Sequence, residues 1–133
     1  MPDRSKDWLA QAKRDLEHAE KDVRDGYYEH ACFEAQQAAE KAVKSVYLSR
    51  HAASWGHRVA KLLQEMTTIS ESPPVERIDD GKILDQYYVL TRYPNGFESG
   101  APMEFFTKEQ ATDAVRRAAN IIGWCESLQG SRT

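Results

Sequence analysis

The sequence predicts an all-α fold, an antiparallel four-helix up-and-down bundle with one additional short helix. Apolar residues recur at steps of three and four in several long segments, and glycine or proline signals separate these segments. No stretch of useful length alternates apolar and polar residues as a half-buried strand does. Helices that each carry one apolar face bury it by packing against one another, which predicts a bundle.

The first two predicted helices follow each other closely. The step Asp25-Gly26 ends helix one, because glycine is common just past a helix C-terminus. Helix two ends near Arg50 and carries a narrow alanine-rich seam, which would let two helix axes approach closely. The apolar positions are Trp8, Ala12, Leu16, Ala19 and Val23 in helix one, and Tyr28, Cys32, Ala35, Ala39, Ala42 and Val46 in helix two.

A short helix and two long helices are predicted in the rest of the chain. Pro73-Pro74 prevents any continuation of the short helix. Helix four is predicted over residues 75–92, because Pro94 keeps the residue before it out of helical geometry. The short helix carries Val59, Leu62, Leu63 and Met66.

The last helix is predicted from a capping signal and an apolar face. Residues 97–106 hold two glycines and a proline and are expected to be irregular. Thr107 and Gln110 then match a capping box, in which each side chain bonds the other residue's backbone N–H. The apolar face of this helix comprises Ala111, Ala114, Ala118, Ile121, Cys125 and Leu128.

Composition limits the class of protein. We expect one domain over residues 1–133, with a core at about residues 8–128, because 133 residues are too few for two ordinary domains. No run approaches the length of a membrane-spanning helix, so we expect a cytoplasmic protein without a membrane partner. The net charge of −3 gives no general basic surface for nucleic acid, so any phosphate site must be local.

Arg92 is the strongest candidate for such a local site. It lies at the predicted end of helix four beside Tyr88, Tyr93 and Asn95, whose side chains can stack on a base or bond a phosphate. The structural alternative is that Arg92 caps the last helix carbonyls or pairs with Asp85 or a helix-two carboxylate.

Two further basic residues are weaker candidates for ligand binding. Lys41 and Lys44 lie on helix two off the alanine seam and could form a basic strip. The alternative is an ordinary solvated helix face. No glycine-rich phosphate loop, His-Glu-x-x-His helix or Cys-x-x-Cys pair occurs, so we expect neither a metal site nor a cofactor.

His57 is the candidate proton-transfer residue. It follows Gly56 at the start of the short helix, where its side chain could cap that helix or bond across the bundle. Alternatively it could face Arg92 as a general acid or base, because histidine titrates near neutral pH. Gln36, Gln37 and Glu40 interrupt the seam of helix two and need partners if buried, so they could set the register of a dimer.

Four segments together resemble the HEPN family of small helical domains, named from higher eukaryotes and prokaryotes nucleotide-binding. They are the alanine-rich residues 31–42, Gly26-Tyr27-Tyr28-Glu29, Gly56-His57, and Thr91-Arg92-Tyr93-Pro94. The resemblance implies the helical fold predicted above. It also implies one of several activities, since the family includes ribonucleases, inert partners and nucleotide binders.

The resemblance implies two alternative functions. The ribonuclease branch carries a histidine shortly after the arginine that corresponds to Arg92, and this sequence has none there. We therefore favour a homodimeric binding module that holds a nucleotide or RNA phosphate and works with a minimal nucleotidyltransferase in a toxin–antitoxin-like pair. The alternative is a metal-independent RNase toxin with Arg92 and a displaced catalytic histidine such as His57.

Overall fold

The computed structural model describes residues 3–130, and within that range the protein is all-helical. The predicted four-helix bundle with an additional short helix is confirmed. No helix in the described range has the length and apolar character needed to span a bilayer. The α-helices are α1 (Ser5–Asp25), α2 (Tyr28–Ser49), α3 (Val59–Glu65), α4 (Val75–Asp85), α5 (Tyr87–Leu90) and α6 (Lys108–Gly130).

α2 is the central helix of the bundle. It packs most extensively on α1 and α6, and its small side chains Ala35, Ala39 and Ala42 are fully buried. The alanine seam therefore serves packing within one chain and does not face a second copy. The short turn into α2 uses Gly26 in the left-handed conformation (φ 86°), where its N–H bonds the Asp22 and Val23 carbonyls. The predicted stop at Asp25-Gly26 is confirmed.

The predicted helix over residues 75–92 is interrupted. α4 ends at Asp85, Gln86 forms a turn, and the four-residue α5 continues to Leu90. Gln86 keeps helical dihedrals (φ −64°, ψ −21°), so the two pieces form a nearly continuous rod with a local break in its hydrogen bonding. Arg92 therefore lies in the turn after α5 and not on the last turn of one long helix.

Close contacts fix α4 against α3 and α6. A Cβ added at Gly81 would lie 2.9 Å from the backbone nitrogen of Ala60, so only glycine permits this approach of α4 to α3. On the other side, Arg117 Nη1 donates to the buried Asp80 Oδ1 at 3.0 Å. Arg77 Nε also lies 3.0 Å from Asp80 Oδ2, although the angle does not suit a hydrogen bond.

The predicted capping box begins α6. Gln110 N–H donates to Thr107 Oγ1 at 3.0 Å, and Thr107 N–H donates to Gln110 Oε1 at 2.9 Å. The segment before it, which we expected to be irregular, contains the 3-10 turn Pro102–Glu104, and another such turn, Pro94–Gly96, comes directly before it.

Candidate functional site

Arg92 lies among three aromatic rings. Its guanidinium carbon is 4.5 Å from the ring centre of Phe33, 4.7 Å from that of Tyr88 and 5.1 Å from that of Tyr93. Phe33 belongs to α2, Tyr88 to α5 and Tyr93 to the segment that follows α5. Packing of α2 against α5 therefore creates this group of side chains, which we name the Arg92 aromatic cluster.

One nitrogen of the guanidinium is used to hold it in place. Arg92 Nε donates to the Tyr88 carbonyl at 2.8 Å, so the expectation that Arg92 caps the last helical carbonyls is confirmed. The two terminal nitrogens make no hydrogen bond or ion pair with any residue in the range 3–130. The side chain is exposed, so these two nitrogens can reach a ligand in solvent.

The expected pairing of Arg92 with Asp85 is wrong. Asp85 instead accepts hydrogen bonds from the backbone N–H groups of Val59 at 2.8 Å and Ala60 at 3.0 Å. These are first-turn donors of α3, which have no partner inside their own helix. Asp85 is drawn to them because a carboxylate suits the positive end of a helix, and Arg92 keeps an uncompensated charge.

His57 packs beside the same cluster and is bonded to α2. Its ring stacks on Tyr88 with the centroids 5.2 Å apart and the planes 16° apart. Its Nδ1 lies 3.0 Å from Glu40 Oε2, so the expected hydrogen bond across the bundle is confirmed. Glu40 is buried and also pairs with Lys44, whose Nζ is 3.1 Å from the same oxygen. A carboxylate on Nδ1 directs Nε2 of His57 towards solvent.

Gln36 joins the segments around His57. Its buried Nε2 donates to the His57 carbonyl at 2.8 Å and lies 3.3 Å from Asp85 Oδ1. Its Oε1 accepts from Gln37 Nε2 at 2.8 Å. We expected Gln36, Gln37 and Glu40 to set a dimer register, but the partners of these polar groups lie within the chain.

The remaining predicted site residues do not all come together. Lys44 is linked to His57 through Glu40, whereas Lys41 pairs with Asp15 of α1 with Nζ 2.5 Å from Oδ2. Both lysines are compensated by carboxylates and do not form the expected basic strip. Asn95 is exposed on the turn Pro94–Gly96 and makes no hydrogen bond with Arg92.

Two residues of the site were missed by the sequence reasoning. Phe33 was one apolar residue among many on α2, and only the packed structure brings it over Arg92. Glu40 was predicted to need a partner, but nothing in the sequence linked it to His57, which lies 17 positions further along the chain. A carboxylate at a buried helix position was the available signal, since buried charges are normally paired.

Thiol chemistry has no support near the site. Both cysteines are buried and free, as the sequence predicted. Burial raises the pKa of Cys32 to about 12, with smaller contributions from the charges of Glu29 and Asp113. Burial also raises the pKa of Cys125. A thiol that stays protonated is a poor nucleophile and a poor metal ligand.

A fold of this kind, with an arginine after the penultimate helical segment, defines a class of small helical domains. The sequence profile of the HEPN domain family matches residues 5–128. The chain belongs to the HEPN domain family.

Several known proteins are similar to this chain. The crystal structure of TT1696 from Thermus thermophilus is 36% identical and has a TM-score of 0.90, covering 95% of this chain and 98% of its own. An archaeal HEPN homologue, ST0689, is 37% identical with a TM-score of 0.80, covering 96% and 98%. A Methanocaldococcus jannaschii protein named "Putative toxin MJ1304" is 27% identical over 86% of this chain and 81% of its own length.

Proposed function

We propose that this protein is a HEPN-type, toxin-like binding module that holds a nucleotide or RNA phosphate at the Arg92 aromatic cluster. In this proposal it is one half of a toxin–antitoxin-like pair whose other half is a minimal nucleotidyltransferase. Family membership and the similarity to a protein named as a toxin support the general role. The geometry around Arg92 supports the ligand.

The observation that carries the proposal is the state of the Arg92 side chain. An exposed arginine at a protein surface usually moves freely or pairs with a carboxylate. Arg92 is held by its own Nε bond and by three rings, and no carboxylate of the described residues pairs with it. A fixed guanidinium with two free terminal nitrogens matches the oxygens of a phosphate in two parallel hydrogen bonds.

The neighbouring rings supply the second half of the ligand's recognition. Tyr93 is about half exposed, and its ring face can stack on a nucleobase. Tyr88 is more enclosed, because His57 and Arg92 already pack on it. We therefore assign phosphate binding to Arg92 and base stacking to Tyr93, with Asn95 close enough in sequence to bond the base or sugar.

Calorimetric titration with ATP, GTP and short single-stranded RNA tests this site. One charge-assisted contact is worth about 1.5–3 kcal/mol, so Arg92→Ala should weaken binding by roughly tenfold or more while leaving thermal stability nearly unchanged. Arg24→Ala is the matched control, because Arg24 is also an exposed arginine in the last turn of a helix. If neither the parent protein nor the control binds any of these ligands, the binding proposal is wrong.

A second function is supported by the surroundings of His57. A histidine that a carboxylate holds by Nδ1 is oriented for proton transfer through Nε2, as in catalytic dyads. His57 and Arg92 pack on the same Tyr88 ring, so a proton donor and a phosphate-stabilising cation are near each other. This arrangement suits a metal-independent RNase in which His57 takes the place of the histidine missing after Arg92.

RNA cleavage assays in EDTA separate the two functions. The RNase alternative requires robust cleavage that both His57→Ala and Arg92→Ala abolish. His30→Ala is the control, because His30 is also exposed and lies beside a carboxylate, with Nε2 4.0 Å from Glu29 Oε2. Absence of cleavage by the parent protein, together with phosphate binding, favours the binding module.

The partner proposals concern the exposed apolar residues near Arg92. Val89, Leu90 and Tyr93 are 51%, 39% and 49% exposed, and they flank the arginine along the chain. We place the homodimer contact and the nucleotidyltransferase contact at this end of the bundle, since such side chains favour burial. A monomer in light scattering at tens of micromolar would remove the homodimer. Failure of a co-expressed minimal nucleotidyltransferase to co-purify would remove the pairing.

A further inference from the structure

We propose that His18, Asp22 and Glu34 form a binding site for a divalent metal ion of the zinc type between α1 and α2. The three side chains lie outside the Arg92 aromatic cluster. They are brought together by the packing of the first two helices, so the sequence-based expectation of no metal missed them.

Their positions follow from helix geometry. His18 and Asp22 are four residues apart on α1, so they lie on the same face one turn apart. Glu34 lies on the neighbouring α2 and faces them. Two ligands at i and i+4 on one helix and a third from its neighbour is an arrangement that metal sites in helical bundles use.

The distances suit a single ion. One ligand atom from each of the three residues lies within 4.8 Å of the other two. His18 Nδ1 is 2.5 Å from Glu34 Oε1, and His18 Nε2 is 3.8 Å from Asp22 Oδ1. Zinc binds nitrogen and oxygen ligands at about 2.0–2.2 Å, so rotation of the exposed His18 side chain would bring all three donors to one centre.

The two carboxyl groups lack a compensating cation. Glu34 Oε2 is buried and receives no hydrogen bond from the described residues. Burial, the hydrogen bond to Asp22 and the charges of Asp22 and Asp15 raise the pKa of Glu34 to about 8. The closest lysine, Lys41, is already paired with Asp15. A divalent cation would displace the Glu34 proton to solvent and compensate both carboxylates at once.

The donor set selects the class of metal. One imidazole nitrogen and two carboxylate oxygens suit zinc and similar transition metals better than magnesium or calcium, which prefer oxygen ligands alone. The side chain of His18 is 60% exposed. A fourth coordination position would therefore be open to water.

Titration of the metal-free protein with Zn²⁺ by calorimetry, and with Co²⁺ by visible absorption, tests this site. We expect one ion per chain, a Co²⁺ spectrum with nitrogen and oxygen ligation, and a melting temperature that rises with Zn²⁺ concentration. His18→Ala and Glu34→Gln should each weaken Zn²⁺ binding by at least about tenfold.

His30→Ala is the matched control, since it removes an exposed histidine from α2 that has one carboxylate nearby but no third ligand. This variant should bind Zn²⁺ as the parent protein does. Equal binding by the parent and by His18→Ala would overturn the proposal, as would no binding by the parent at about 100 µM Zn²⁺. Circular dichroism of each variant confirms that a loss of binding is not a loss of fold.

Discussion

Removal of the Asp85 carboxylate should destabilise the protein strongly, although Asp85 lies near the surface. Asp85→Ala deletes the hydrogen bonds to Val59 N–H at 2.8 Å and Ala60 N–H at 3.0 Å. Both residues are buried, so their donors would lose a partner where water has poor access. The contact of Gln36 with Asp85 would be lost as well.

The magnitude follows from these bonds. Truncation of an N-terminal helix cap costs about 0.5–2 kcal/mol, and a hydrogen bond to a charged group contributes about 1.5–3 kcal/mol. We expect Asp85→Ala to lower the free energy of unfolding by about 2–3 kcal/mol, or the melting temperature by about 10 °C for a chain of this length. Asp85→Asn keeps one acceptor oxygen and should lose about half as much.

Urea unfolding followed by far-UV circular dichroism measures these differences. Asp79→Ala is the control, because Asp79 is an exposed aspartate on the same helix α4, and its loss should change the free energy of unfolding by less than about 0.5 kcal/mol. An Asp85→Ala variant as stable as this control would refute the assignment of Asp85 as the cap of α3.

Two further predictions concern stability at other positions. Gly81→Ala places a Cβ 2.9 Å from the Ala60 backbone and should cost about 1–3 kcal/mol, whereas Gly123→Ala meets no atom within 4 Å and should stabilise α6 by about 0.5–1 kcal/mol. Equal urea midpoints for this pair would contradict the close approach. The raised pKa of Glu34 means that the folded state keeps a proton that the unfolded chain releases above about pH 4.5, so this group lowers stability as pH rises towards about 8, by at most about 1.4 kcal/mol per pH unit. Glu34→Gln removes that penalty, so its advantage in urea midpoint, measured in EDTA, should be larger at pH 8 than at pH 5. An advantage that is the same at both pH values would contradict the raised pKa.

Features coded by neighbouring residues could be predicted from the sequence. The stop at Gly26 and the capping box of Thr107 and Gln110 depend on residues within one or two turns of each other. The helical faces were equally local, and together these features define the bundle. The break at Gln86 could not be predicted in this way, since the residues around it include no glycine or proline.

The site was predicted less completely, because its bonds join distant segments. Arg92, Tyr88 and Tyr93 are near one another in sequence, and their grouping is found in the structure. The ring of Phe33 and the carboxylate of Glu40 come from α2, so only tertiary packing brings them in. The pairing of Arg92 with Asp85 was wrong because the first turn of α3 presents Asp85 with backbone donors that the sequence does not reveal.

The anchoring of α3 has a consequence for how this end of the molecule opens. A helix of seven residues is too short to persist alone and would ordinarily fray quickly from its first turn. Here the first-turn N–H groups of Val59 and Ala60 are held by a side chain of α4, and Gly81 lets the two helices touch at the same point. α3 therefore cannot open without loosening α4. In native-state hydrogen exchange, the amides of Val59 and Ala60 should exchange together with those of α4, as one cooperative unit.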